Sequence, residues 1–131
     1  MSSFEKFKLS LPRQVQISQG IDLSEGYVPQ TIYWMYVDGH PVAYGKLRHR
    51  LNDKLMKYGG HIGYMVRPSE RGKGYGKLFL SEMIKEARAK GIDEILITCD
   101  EVNIRSRQVI EGNHGKLESL EDGICRYWIR K

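Results

Sequence analysis

The stretch RPSERGKGYGK, residues 67–77, sets Gly72, Gly74 and Gly76 at alternate positions among Arg67, Arg71, Lys73 and Lys77. Glycine removes the Cβ and permits φ > 0, so a backbone this bare can come very close to a ligand. The cations between the glycines suit an anion. A helix pattern follows at once: Phe79, Leu80, Met83, Ile84 and Ala87 recur at i, i+3, i+4 spacing, and Gly91 ends the run. The loop therefore leads into a helix N-terminus, whose unpaired N–H groups and dipole favour a phosphate. Two phosphate loops are excluded by spacing. Walker A requires GxxxxGK[ST], whereas Gly76-Lys77 is followed by Leu78 and lacks the earlier glycine. The dinucleotide fingerprint requires GxGxxG, which these alternate glycines do not give. The pattern that fits is R-x-x-G-x-G, Arg71 to Gly76.

The surrounding elements must hold this loop. TIYWMYV (31–37) and PVAYGKLRH (41–49) flank Asp38-Gly39, a strong hairpin signal. Residues 52–60 read as a loop, and HIGYMV (61–66) as the strand that feeds the glycines. The helix over 75–90 presents Ser81, Glu82, Lys85, Glu86 and Lys90 on its polar side. EILITC (94–99) is a nearly continuous apolar strand of the kind buried on both faces of a parallel sheet. Residues 61–99 are thus one strand–loop–helix–strand unit. A short helix follows at about 103–112, and KLESL and ICRYWIR flank EDG as a closing hairpin.

Together these features resemble the GNAT superfamily of N-acetyltransferases, whose pyrophosphate loop reads Q/R-x-x-G-x-G/A. Val66-Arg67-Pro68 stands where that family has V-x-P. KLFLSEMIKEARAKGIDEILITCD matches its helix and following strand. Asn103-Ile104-Arg105-Ser106 matches the N-x-x-S start of its next helix, and VIEGNHGKLE is similar to its E-K-x-G segment. The likeness covers roughly 27–130. YVPQTIYW, HRLN and GGHIGY are similar to one bacterial branch of predicted acetyltransferases.

The resemblance implies an α/β (α+β) fold: a mixed central sheet with antiparallel hairpins, the strand–loop–helix–strand parallel unit and flanking helices, in a single domain over 1–131. It implies acetyl-CoA as co-substrate and a primary amine as acceptor. The backbone of Arg71, Gly72, Lys73, Gly74, Tyr75 and Gly76 would hold the pyrophosphate, with charge from Arg71, Lys73 and Lys77. Strand 61–66 would splay from strand 94–99, and the free backbone of Met65, Val66 and Arg67 would pair with the pantetheine arm. Asn103 and Ser106 would touch the cofactor; read alone, Asn103 is equally a helix N-cap and Ser106 a first-turn residue. The family's leaving-group tyrosine, seven residues after the asparagine, is here Ile110.

Family members usually have a strand and two helices before the first hairpin. Only about 30 residues precede it here, so 1–26 read as a truncated element, with one helical piece broken near Pro12 and the first strand absent. That would leave a sheet edge uncovered and favour a homodimer. A lysine-like acceptor has a pKa of about 10.4 and needs roughly 4–5 kcal/mol to lose its proton at pH 7. A general base would lower that barrier. His61 is the imidazole on the strand bordering the thioester, and Tyr64 and His49 are alternatives; read alone, His61 is a strand-surface or core residue.

Composition narrows the partners. Of the 131 residues, 21 are Lys or Arg and 16 Asp or Glu, a net charge of +5 that favours anions. No RRM, KH or helix-turn-helix signature accompanies it, so nucleic acid is not the expected partner. No apolar run is long enough to span a membrane, and MSSFEKFKLS has no signal-peptide core. Cys99 and Cys125 form neither CxxC nor a disulfide framework, which suits the cytoplasm, and no metal is expected. The alternative to catalysis is a non-catalytic acyl-CoA-binding module.

Overall fold

The computed structural model describes residues 15–22 and 30–130. Strands β1 (Val15–Asp22), β2 (Gln30–Val37), β3 (His40–Arg48) and β4 (Ile62–Val66) form an antiparallel sheet in that order. The β2–β3 turn is Asp38-Gly39 at φ 51° and 82°, the left-handed pair that a two-residue hairpin demands. Asp122-Gly123, at φ 52° and 76°, closes the second hairpin in the same way. It joins β6 (Lys116–Glu121) to β7 (Ile124–Arg130), and β7 pairs on its other side with β5 (Glu94–Asp100). That second sheet has the order β5-β7-β6.

Two expectations are corrected here. The first strand is present: Val15–Asp22 pairs with β2 along its whole length, from Val15 opposite Val37 to Asp22 opposite Gln30. The edge of β2 is covered, so the reason for self-association through it falls. Residues 1–14, where the helical piece was expected, lie outside the described residues. The segment 52–60 is also not loop throughout. Asn52 caps a short helix, α1 (Asp53–Lys57), by accepting from Leu55 N at 2.9 Å.

Helix α2 (Tyr75–Ala89) lies between β4 and β5 in the chain, and its apolar face carries the core. Phe79, Leu80, Met83 and Ala87 are fully buried against Tyr33, Met35, Leu47 and Ile62 of the first sheet and Ile95, Ile97, Tyr127 and Ile129 of the second. The helix is wider in its burial than its periodicity predicts. Glu82 and Glu86, assigned to the polar side, are 5% and 7% exposed. Lys85 Nζ meets the Glu82 carboxylate at 2.9 Å. Burial, seconded by the Glu86 carboxylate, pushes the Tyr33 phenol far up. Helix α3 (Ile104–Gly112) packs against α2 and β5.

The two sheets do not merge into one central sheet. Among the described residues they share one backbone hydrogen bond, His61 N to Leu96 O at 2.7 Å. Beyond that point β4 and β5 separate, which opens a gap between the strand before the glycine loop and the strand after its helix.

Candidate functional site

The gap is hinged by the GGH of residues 59–61. Gly59 N donates to Thr98 Oγ1 at 2.8 Å. Leu96 N donates back to His61 Nδ1 at 3.0 Å. Arg48 braces the turn, its Nη1 donating to Gly59 O at 3.2 Å and to Gly60 O at 3.3 Å. Gly60 sits at φ +61°, and a Cβ there would lie 2.3 Å from Leu96 O, so no other residue fits.

This arrangement engages the His61 lone pair that a general base would use. Its Nδ1 lone pair is taken by Leu96 N–H, so the neutral ring carries its proton on Nε2 and has no lone pair left to accept one. The ring is buried, lies outside the cleft described below, and has its pKa lowered by that burial. His49, the other imidazole alternative, is engaged with Thr31 Oγ1 at 2.7 Å.

A pH dependence follows. His61 titrates at an ordinary 6.5 when unfolded and lower when folded. Its protonation therefore favours the unfolded chain: the neutral fold keeps its full stability above 6.5 and loses it as pH falls through the depressed folded value. Burial lowers His49 in the same direction. The melting temperature should decline as pH drops from about 7.5 to 5. His61→Ala, which leaves Leu96 N–H without its acceptor, should lower stability by about 2–4 kcal/mol at pH 7.5 and flatten the decline. A melting profile equally steep in the variant would refute this role.

The glycine loop closes the other end of the gap. A 3-10 turn over Pro68–Glu70 lifts the chain away from β4. Gly72 and Gly74 follow at φ +80° and +85°, and a Cβ on either would point into open space. Gly74 caps α2 without any side-chain bond, so the first-turn N–H groups of the helix face outward beneath it. The result is a cleft of about 600 Å³ with β4 on one side, the loop at its mouth and α3 on the other.

Most of the residues singled out by sequence meet here. Tyr64, Met65, Val66, Arg71, Gly72, Gly74, Tyr75, Gly76, Lys77, Asn103 and Ser106 all line the cleft. Four do not: His49, His61, Arg67 and Lys73. Arg67 N donates to Val42 O at 2.7 Å, so its backbone belongs to the β3 side. Along β4, backbone groups alternate between partner and gap. With His61 O accepting from Arg48 N and Arg67 N bonded to Val42, the residues facing the gap are 62, 64 and 66. The run expected to be free is thus carried by Tyr64 and Val66, while Met65 and Arg67 direct theirs to β3. Arg71 Nε holds Val66 O at 3.2 Å. Lys73 is turned to Glu70 at 3.2 Å, and that contact holds the Glu70 carboxyl below its usual range.

Asn103 resolves as the N-cap of α3, its Oδ1 accepting from Ser106 N at 3.2 Å while the residue still lines the cleft. Glu70, Arg105, Gln108 and Val109 also line it and were not singled out. For the last three the available signal was spacing: Arg105, Gln108 and Val109 stand at i, i+3, i+4 on the helix that Asn103 starts. Ile110 is fully buried in the core, so the position of the family's tyrosine does not open on the cleft.

A family model described as the Acetyltransferase (GNAT) family matches residues 4–115. The chain belongs to that family. The model spans the elements that build the cleft, from the first hairpin to the end of α3. No curated protein gives a significant match. Among solved structures, the GNAT fold recurs in the GNAT domain of S. lividans PAT, at 17% identity and TM-score 0.65, over 76% of this chain and 60% of that one. It recurs in yncA, a putative acetyltransferase from Salmonella typhimurium solved with acetyl-CoA, at 18% identity and TM-score 0.61, over 77% and 64%. It recurs too in an N-acetyltransferase from Staphylococcus aureus Mu50, at 19% identity and TM-score 0.65, over 77% and 67%. The chain spans less than two thirds of the first two of these structures.

Among the described residues of this GNAT chain, no helix is long and apolar enough to cross a membrane. No three His, Cys, Asp or Glu side chains gather as a metal site there either.

Proposed function

We propose that the protein transfers an acetyl group from acetyl-CoA to a primary amine. The observation that carries this reading is the cradle at Gly72 and Gly74, where bare backbone at a helix N-terminus opens onto the gap between β4 and β5. When bound, acetyl-CoA supplies the acetyl group already activated as a thioester. The loop N–H groups between Arg71 and Gly76 would take the pyrophosphate, with the Arg71 and Lys77 charges beside them. Each charge-assisted hydrogen bond of this kind contributes about 1.5–3 kcal/mol. The gap-facing backbone of Tyr64 and Val66 would pair with the pantetheine amides as an added strand does. Asn103 would meet the same arm from α3. Cys99 and Cys125 are buried and unbridged, which fits a cytoplasmic setting.

With both imidazoles engaged, the acceptor would lose its proton to water before attack. The rate should then rise with pH toward the acceptor's own pKa, without an inflection near 6–7. Calorimetry with acetyl-CoA and a CoA-release assay over a panel of amines test the reading. Acetyl-CoA that fails to bind would sink it. A second reading, a non-catalytic acyl-CoA-binding module, is favoured by the engagement of His61 and the burial of Ile110. Binding without turnover on any amine would select it.

A further inference from the structure

Helix α3 walls one side of the cleft with little apolar anchorage. Of its nine residues only Ile110 is buried, near the C-terminal end. Asn103, Arg105 and Ser106 front the cleft from the N-terminal half, where Ile104 is 54% exposed. Polar bonds hold that half. Behind the helix the Tyr127 phenol of β7, itself fully buried, stands between two side chains one turn apart. It accepts from Arg107 Nε at 3.1 Å and donates to a Glu111 carboxylate oxygen at 2.6 Å. Arg107 Nη1 also donates to Glu101 O, at 3.5 Å, in the turn that leads into the helix. Residues at i and i+4 lie on one face of a helix, so a single partner bonded to both fixes its rotation and its height against the strand.

We infer that Tyr127 is a positioning residue for the acyl donor: through Arg107 and Glu111 it sets α3, and so where Asn103 and Ser106 meet the pantetheine arm. This rests on the function proposed above. Arg107, Glu111 and Tyr127 do not line the cleft, so they act through the helix. Burial, and then the bond to Glu111, push the phenol up to about 12, so it remains a donor throughout the neutral range. Without that hydroxyl, Arg107 and Glu111 can pair with each other at i, i+4. The helix then keeps its charges satisfied but loses its tie to β7. Seating the arm has to order the wall first, which lowers affinity. The pyrophosphate cradle lies at the start of α2 and does not depend on this tie.

Two ligands separate the effects. Adenosine diphosphate carries a pyrophosphate without a pantetheine arm, and acetyl-CoA carries both. In calorimetry the wild-type protein should bind acetyl-CoA the more tightly. Tyr127→Phe keeps the buried ring and removes the hydroxyl. We expect its acetyl-CoA affinity to fall about tenfold and its adenosine diphosphate affinity to stay within about twofold. Arg107→Ala, at a partly exposed site, should shift the ratio of the two affinities in the same direction. Glu111→Gln keeps an oxygen for the phenol and should recover most of what Glu111→Ala loses. A merely structural role would lower the melting temperature and leave the ratio unchanged. An unchanged ratio in a folded Tyr127→Phe protein, or in Arg107→Ala where Tyr127→Phe does not fold, overturns this inference and leaves the proposed function standing. A wild-type protein that does not bind acetyl-CoA overturns both.

Discussion

Gly74→Glu should reduce acetyl-CoA affinity at least 10²-fold in a chain that still folds. The residue caps α2 at φ +85° and a Cβ there meets nothing within 4 Å, so the added side chain enters the cleft rather than the core. Left-handed backbone at a non-glycine residue costs only about 1–2 kcal/mol, which the fold can absorb. The carboxylate would stand at the helix N-terminus, filling the anion site with the protein's own charge. Gly74→Asn separates the two effects: asparagine tolerates the left-handed region and brings no charge, so it should retain affinity within about tenfold. Calorimetry on both variants, with circular dichroism to confirm folding, checks the prediction. Unchanged affinity in Gly74→Glu would show that the anion does not bind at the cradle.

Gly60→Val should have the largest effect on stability. Its Cβ would overlap Leu96 O at 2.3 Å and its carbonyl carbon at 2.8 Å, and neither neighbour is a side chain that can turn away. The φ of +61° adds strain that is severe for a β-branched residue. Relief requires β4 and β5 to part at their shared hydrogen bond, releasing His61, Leu96 and Gly59 together. We expect a loss of at least about 4 kcal/mol, a fall in melting temperature of about 10 °C or more, or an insoluble product. Gly63→Ala, on the same strand but with only the Arg48 guanidinium beyond 3.5 Å, serves as the tolerated control. A Gly60→Val protein melting with the wild type would overturn the account of the hinge.

What could be read from the sequence was what is written locally. Asp38-Gly39 and Asp122-Gly123 announce their hairpins because a two-residue turn needs left-handed dihedrals that few residues take. Helix α2 and the loop before it were legible from apolar spacing and alternate glycines. β1 was not, since VQISQGID alternates weakly and is broken by Gly20, so its strand character comes from pairing with β2. The five-residue α1 buries no side chain and so leaves no periodic trace beyond its Asn52 cap. A core placement for His61 was among the readings, but its bond to Leu96 could not be read, because that partner lies 35 residues away. Glu82 and Glu86 misled for a related reason: charge marks a solvated face only where nothing else covers it.

Separation of the two sheets beyond His61 also bears on how fast a ligand can enter. Tyr64 and Val66 present their peptide groups to the gap with no opposing strand, so no ladder between β4 and β5 has to be unzipped before a thread-like molecule is seated. Glycines that place no Cβ in the mouth leave that approach open from the solvent side. Association should then be limited by diffusion and orientation rather than by strand opening, so most differences in affinity among such ligands should lie in their residence times.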